Sequence, residues 1–186
     1  MSKQELRMLM LNNRRLFAGQ HKHTADQKIQ EQALTLINAY QTIGIYLNMQ
    51  EEVSTKLIID SLRLANKVIC GPKCVGSELE FRVIDDPAAL KPGMLGIMEP
   101  TGELIAKEHI QVLLIPLVAF DQNLNRLGYG KGYYDRYLAD FHGLKIGLAY
   151  QLQSVESIRT DEHDIALDYI ITENSLIQAN QSSKTI

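Results

Sequence analysis

The sequence predicts an α/β fold: an open, mostly parallel sheet covered by helices on both faces, a three-layer α/β/α arrangement. Three observations predict it. Short β-branched runs alternate with amphipathic helical stretches, as in βαβ units. The run 112–120, VLLIPLVAF, is continuously apolar rather than alternating, as in a strand covered on both faces. At 186 residues and 45% hydrophobic content the chain suits one sizeable core. A single domain over 1–186 is therefore expected, with a frayed tail after about residue 178.

Ser2 and Glu5 are spaced as a capping box, and Leu6, Leu9, Met10, Leu16 and Phe17 recur at helical intervals, so the first helix is placed over 3–18. A second box, Thr24 with Gln27, opens a helix carrying Ile29, Ala33, Leu36 and Ile37. Between residues 3 and 28 the cations Lys3, Arg7, Arg14, Arg15, Lys22 and Lys28 outnumber Glu5 and Asp26, so this end is locally basic. Lys3 and Arg7, four apart, share a helix face. Spacing alone favours solvated charges there, with a basic prong toward a phosphate as the alternative.

TIGIYL at 42–47 is a buried strand. Glu51 and Glu52 follow its carboxyl end, where open α/β sheets bind ligands. The plainer reading makes them first-turn acids of the next helix, over 54–65. KVIC at 67–70 is a strand ended by Gly71-Pro72, LEFRVI at 79–84 a half-exposed one, and the proline- and glycine-rich stretch 85–101 an extended loop. LKIGLA at 144–149 and ALDYIIT at 166–172 complete the sheet. Cys70 and Cys74 have no zinc-spaced partners and read as reduced thiols, with a regulatory disulfide as the alternative.

A formal net charge of −3 gives no basic excess to recruit nucleic acid. The N-terminus lacks the apolar core of a signal peptide, and no run approaches the ~18–20 apolar residues of a membrane span. A cytoplasmic protein with neither nucleic acid nor membrane as partner is expected.

The chemistry concentrates at 116–138, PLVAFDQNLNRLGYGKGYYDRYL. Gly128, Gly130 and Gly132 free the backbone for positive φ and close approach to a ligand, and a helix start at Tyr133 favours an anion. A helix N-terminus contributes only roughly 0.3–1 kcal/mol at exposed sites, so side-chain cations or a metal are needed to hold a polyphosphate. Arg126, Lys131 and Arg136 supply the cations, and Asp135 a carboxylate that Mg²⁺ can share with phosphate oxygens. The loop 160–164, TDEHD, gathers further carboxylates near a strand start. A flexible surface hairpin is the competing reading of the glycine pattern, since the P-loop signature is absent.

This segment resembles the signature of the 5-formyltetrahydrofolate cyclo-ligase (methenyltetrahydrofolate synthetase) family: an apolar strand, a Phe-Asp pair and RLGxGxGYYD. Weaker matches are KxxxR at Lys3 and Arg7, YLNMQEE at 46–52, GIMEP at 96–100 and DEHDIALDYIIT at 161–172. The resemblance implies conversion of 5-formyltetrahydrofolate, with or without a polyglutamate tail, to 5,10-methenyltetrahydrofolate. ATP is the co-substrate, Mg²⁺ the cofactor, and a phosphorylated formyl group the intermediate. It implies that Lys3, Gln4, Glu5, Leu6, Arg7, Arg126, Leu127, Gly128, Tyr129, Gly130, Lys131, Gly132, Tyr133 and Tyr134 contact ATP. The folate would meet Leu47 and Glu52 together with Tyr129, Gly130, Lys131, Gly132 and Tyr133. Asp135 and Asp164 become the Mg²⁺ carboxylates, and Arg126, Lys131 and Tyr133 the catalytic groups. A monomer is expected. Some relatives carry arginine where this chain has Tyr129. Two other classes remain: a nucleotide- or folate-binding module without turnover, and a sugar-phosphate isomerase-like enzyme on an α/β scaffold.

Overall fold

Helices α1 (Lys3–Leu16) and α2 (Gly19–Ile37) precede strand β1 (Thr42–Ile45), helix α3 (Lys56–Leu64) and strand β2 (Val68–Val75) in this computed structural model, which describes residues 1–93 and 96–178. Strand β3 (Glu78–Val83) folds back on β2, β4 (Lys91–Pro92) pairs with β5 (Met98–Glu99), and β6 (Leu104–Ile105) lies beside β3. Then come β7 (Val112–Pro116), the hairpin of β8 (Ala119–Phe120) and β9 (Arg126–Leu127), helix α4 (Tyr133–Leu138), and strands β10 (Leu144–Leu148), β11 (Tyr169–Ile171) and β12 (Leu176–Gln178).

The eight-stranded sheet runs β12-β11-β10-β7-β1-β2-β3-β6. Its five central strands are parallel, and antiparallel strands close both edges. One face carries Ile43, Ile45, Val112, Leu114, Ile146 and Leu148 against α2 and α3. The other carries Leu113, Ile115 and Ile170 against Tyr137 and Leu138 of α4 and the aromatic Phe81. The alternation along β7 explains why that run is apolar at every position: both faces are covered. A smaller cluster of Met10, Val118, Ala119, Leu127 and Ile158 holds α1 against the β8–β9 hairpin. Among the described residues no helix is long and apolar enough to cross a membrane.

Gly44 of β1 sits where the second face is tightest. A Cβ there would come within 2.5 Å of Leu113 Cδ1 and 3.3 Å of Phe81 Cδ1. Gly44→Ala is expected to lower stability by about 1–3 kcal/mol, read as a lower denaturant midpoint at unchanged slope. An unchanged midpoint would mean that the β1–β7 contact yields without cost.

Several boundaries differ from the sequence expectation. The first capping box is present, with the Ser2 hydroxyl accepting from the Glu5 amide and Glu5 accepting from the Ser2 amide. The second is not used. Phe17 and Ala18 are extended and Gly19 takes φ +67, so α2 starts there and leaves Thr24 exposed inside it. Of the apolar residues at helical spacing in α1, Leu9 and Leu16 are exposed. Strand β2 continues through Gly71-Pro72, because β1 stops pairing at Cys70 and a proline beyond it breaks no ladder on that side. The run 112–120 is not one strand, since the chain leaves the sheet after Pro116 to form the hairpin. The segment 166–172 is not the last strand, since β12 follows as an edge. The expected frayed tail at 179–186 lies outside the described residues. Cys70 and Cys74 are free; four residues apart on one strand they stand roughly 13 Å from each other, too far for a disulfide. Burial pushes the Cys70 thiol up to about 12.

Candidate functional site

From β1 the chain moves to β2 on one side and then returns to β7 on the other, so the strand order reverses between β1 and β7. Crevices at such switch points, beyond the strand carboxyl ends, are where open α/β sheets bind ligands. A cavity of about 610 Å³ lies there, walled by Leu47 and Glu52 after β1, Pro116 at the end of β7, the whole run 126–135, and Lys3 and Arg7 from α1.

The glycine loop is held by groups behind it. Asp121, buried just after β8, accepts from the amides of Asn123, Asn125 and Ile158 and from the Asn125 side chain. That closes the turn before β9, in which Leu124 takes φ +61. Gln153 donates to the Leu117 and Val118 carbonyls, and Arg14 donates to that of Leu117. Gly130 (φ +88) has to be glycine on two counts: a Cβ would be strained and would lie 3.1 Å from Arg7 Cζ. Arg7 itself donates from Nε to the Gly128 carbonyl at 2.8 Å.

Two cation–carboxylate pairs line the cavity. Arg126 is buried and donates from Nη2 to Asp135 Oδ1 at 2.6 Å. Lys3 donates to Asp164 Oδ2 at 2.5 Å and to Asp161 Oδ2 at 2.6 Å. Burial pulls the Arg126 guanidinium below its ordinary range against the opposing charges of Asp135 and Asp164. For Asp164 burial works upward, but hydrogen bonds from Lys3 and the Asp161 amide outweigh it and hold the carboxyl below its ordinary value. Lys3 is raised: burial lowers it, and Asp161 and Asp164 more than compensate. Three buried side-chain atoms have no partner among the described residues, Arg14 Nε, Arg126 Nε and the Tyr134 hydroxyl, and of these residues Arg126 and Tyr134 line the cavity. An unsatisfied buried polar group costs roughly 1–3 kcal/mol.

The opposite wall depends on the loop after β1. Glu52 is buried; its Oε2 accepts from the Met49 amide at 2.8 Å and its Oε1 from the Tyr129 hydroxyl at 2.6 Å. The loop is pinned from beneath. Tyr46 donates to the Val53 carbonyl, and the Tyr150 hydroxyl shares its one proton between Asp26 Oδ1 at 2.6 Å and the Glu52 carbonyl at 3.0 Å; Asp26 Oδ1 also accepts from the Ser54 amide. Glu52 is thus a buried loop residue before α3, not one of its first-turn acids.

The cavity gathers Lys3, Arg7, Leu47, Glu52, the segment from Arg126 to Tyr134, Asp135 and Asp164. Gln4, Glu5 and Leu6 do not reach it. Glu5 is engaged in the capping box and Leu6 packs under α1. Lys131 is exposed at the rim. Arg136, offered by spacing as a phosphate cation, instead donates to the Ser77 and Lys131 carbonyls. Helix α4 has only six residues, so the dipole expected at its start contributes less than a longer helix would. Sequence reasoning passed over Arg14, Tyr46, Cys74, Ile97 and Glu99. The GIMEP motif contains Ile97 and Glu99, which line the cavity, and was the available signal.

Among the described residues no group of three or more His, Cys, Asp or Glu is gathered as for a protein-held metal. Asp135 and Asp164 pair through one oxygen each, Oδ1 and Oδ2. Their other oxygens are hard donors of the kind Mg²⁺ takes, one or two at a time, alongside substrate phosphates.

The model of the 5-formyltetrahydrofolate cyclo-ligase family matches residues 1–173. A 5-formyltetrahydrofolate cyclo-ligase of Haemophilus influenzae is 33% identical over 177 residues, covering 89% of this chain and 94% of its own. The 5,10-methenyltetrahydrofolate synthetase structure from Aquifex aeolicus superposes with a TM-score of 0.89 at 32% identity, covering all of this chain and 97% of that one. The corresponding Mycoplasma pneumoniae structure gives a TM-score of 0.79 at 29% identity over 93% of this chain and 99% of that one.

Proposed function

The chain belongs to the 5-formyltetrahydrofolate cyclo-ligase family, and from that premise we propose that it converts 5-formyltetrahydrofolate to 5,10-methenyltetrahydrofolate with ATP and Mg²⁺, releasing ADP and phosphate. The observation that carries this reading is convergence. Cations from the first helix and from the glycine loop meet, in one cavity, the Leu47–Glu52 wall that the resemblance assigns to the folate.

Lys3, Arg7, Arg126 and Lys131, with the backbone of Gly128, Gly130 and Gly132, hold the phosphates. Leu47, Glu52 and Tyr133 face the folate, and Tyr129 joins the two walls. The formyl oxygen attacks the γ-phosphorus as the bond to ADP breaks. N10 then attacks the activated carbon, its proton passing to the departing phosphate as the carbon–oxygen bond breaks. Such a transfer asks mainly for positioning and charge neutralisation, and Arg126 is the buried cation placed to balance charge on the transferring group. Asp135 and Asp164 would hold Mg²⁺, which when bound would supply further neutralisation of phosphate charge. Both ligands are water-soluble small molecules and the cavity walls come from distant parts of one chain, which supports a monomer acting in the cytoplasm over a single domain.

Purified protein mixed with ATP, Mg²⁺ and 5-formyltetrahydrofolate is expected to gain the near-ultraviolet absorbance of the methenyl product. Tight folate binding without ATP turnover would point to a binding module; neither binding nor turnover would remove the folate assignment.

A further inference from the structure

Arg14 belongs to none of the groups discussed so far as touching a ligand, yet it is only 3% exposed and ends beside the cavity. Its Nη2 donates at 2.5 Å to the Tyr129 hydroxyl, and that hydroxyl donates at 2.6 Å to Glu52 Oε1. Arg14 therefore reaches Glu52 only through the phenol. Two buried opposite charges, each expensive to leave uncompensated, are joined by one neutral bridging group. Burial and the Glu52 charge both raise the Tyr129 hydroxyl, so it keeps its proton and the direction of donation is set: guanidinium to phenol, phenol to carboxylate. The Arg14 guanidinium also lies 5.6 Å from the Tyr129 ring centroid and anchors to the Leu117 carbonyl, tying the bridge to the start of the loop.

We propose that Arg14 is a positioning residue for the folate site, acting through Tyr129 to orient Glu52. The inference rests on Glu52 facing the folate. It separates two parts of α1: Lys3 and Arg7 serve the phosphate side, and Arg14, further along the helix, serves the folate side.

Calorimetry with 5-formyltetrahydrofolate and, separately, with ATP and Mg²⁺ tests this, with KM values alongside. Arg14→Met and Tyr129→Phe are each expected to weaken folate binding about tenfold or more, as loss of a hydrogen bond to a charged group does. In Arg14→Met, whose side chain does not line the cavity, ATP affinity should change less than about threefold, well below the cost of such a bond. The double variant Arg14→Met with Tyr129→Arg should bring folate affinity back to within about threefold of the parent, since the cation then meets Glu52 directly. Should Arg14→Met fail to fold, Tyr129→Phe, which removes one hydroxyl, decides alone. Folate affinity unchanged in Tyr129→Phe would overturn the proposal. So would equal weakening of both ligands without recovery in the double variant, the mark of a purely structural role. Failure of the parent protein to bind 5-formyltetrahydrofolate would instead remove the folate assignment, and this inference with it.

Discussion

Arg126→Met is expected to lower turnover by about three orders of magnitude, at the lower end of what an arginine balancing charge in phosphoryl transfer contributes, while the melting temperature stays within about 4 °C. The two parts of this expectation have different origins. The Arg126 side chain is 3% exposed and its charge is desolvated, so it acts on a ligand with little screening by water. Removing one member of a buried ion pair usually costs about 3–5 kcal/mol, because the other charge is stranded. Here the partner is not stranded: the Asp135 side chain is 28% exposed and can be hydrated, and methionine restores apolar packing in place of a desolvated cation. Steady-state kinetics beside a thermal melt separates the effects. A large fall in melting temperature with a proportionate fall in activity would make Arg126 a structural residue, and retained turnover would remove it from the reacting centre.

Asp135→Asn should cost about 100-fold in activity and raise the Mg²⁺ concentration needed for half-maximal rate by about tenfold, the range seen when a group that supports a metal is altered. Asparagine keeps an oxygen that can accept from Arg126, so the pairing geometry survives while the charge is lost. The measurement is a Mg²⁺ titration of turnover at saturating ATP. Asp135 has two candidate duties, counter-ion to Arg126 and metal ligand, and only the second moves the titration midpoint. A slower enzyme with an unchanged midpoint would leave Asp135 as counter-ion alone.

The parts of the fold legible in the sequence were those whose signal is local. β7 announces itself because a strand covered on both faces is apolar at successive positions, and β1 and β10 because aliphatic residues dominate short runs bounded by polar segments. The Ser2–Glu5 box marks α1 because both partners lie within one turn. Edges were less legible. β12, the far half of β2 and the β8–β9 hairpin are short or half-exposed, and what makes them strands is a neighbour contributed by a remote segment. Thr24 with Gln27 satisfies a local pattern that the turn at Gly19 overrides.

The site divides along the same line. The glycine loop, its cations and Asp135 could be found by reading 116–138, because positive φ, charge and carboxylate chemistry belong to single residues or near neighbours. Lys3, Arg7, Glu52 and Asp164 were ambiguous by spacing and became site candidates only through family resemblance. Arg14 was indistinguishable from its solvated neighbour Arg15, since a helix writes buried and exposed cations in the same letters. Whether such a charge faces water or a phenol 115 positions away is decided by which surfaces pack together. The sequence by itself thus determined the class of fold and the chemistry of one loop. Tertiary packing alone decided which distant charges meet there: Lys3 with Asp164, and Arg14 with Glu52 through Tyr129. Burial energy depends on the finished three-dimensional neighbourhood, and no local stretch of chain carries that information.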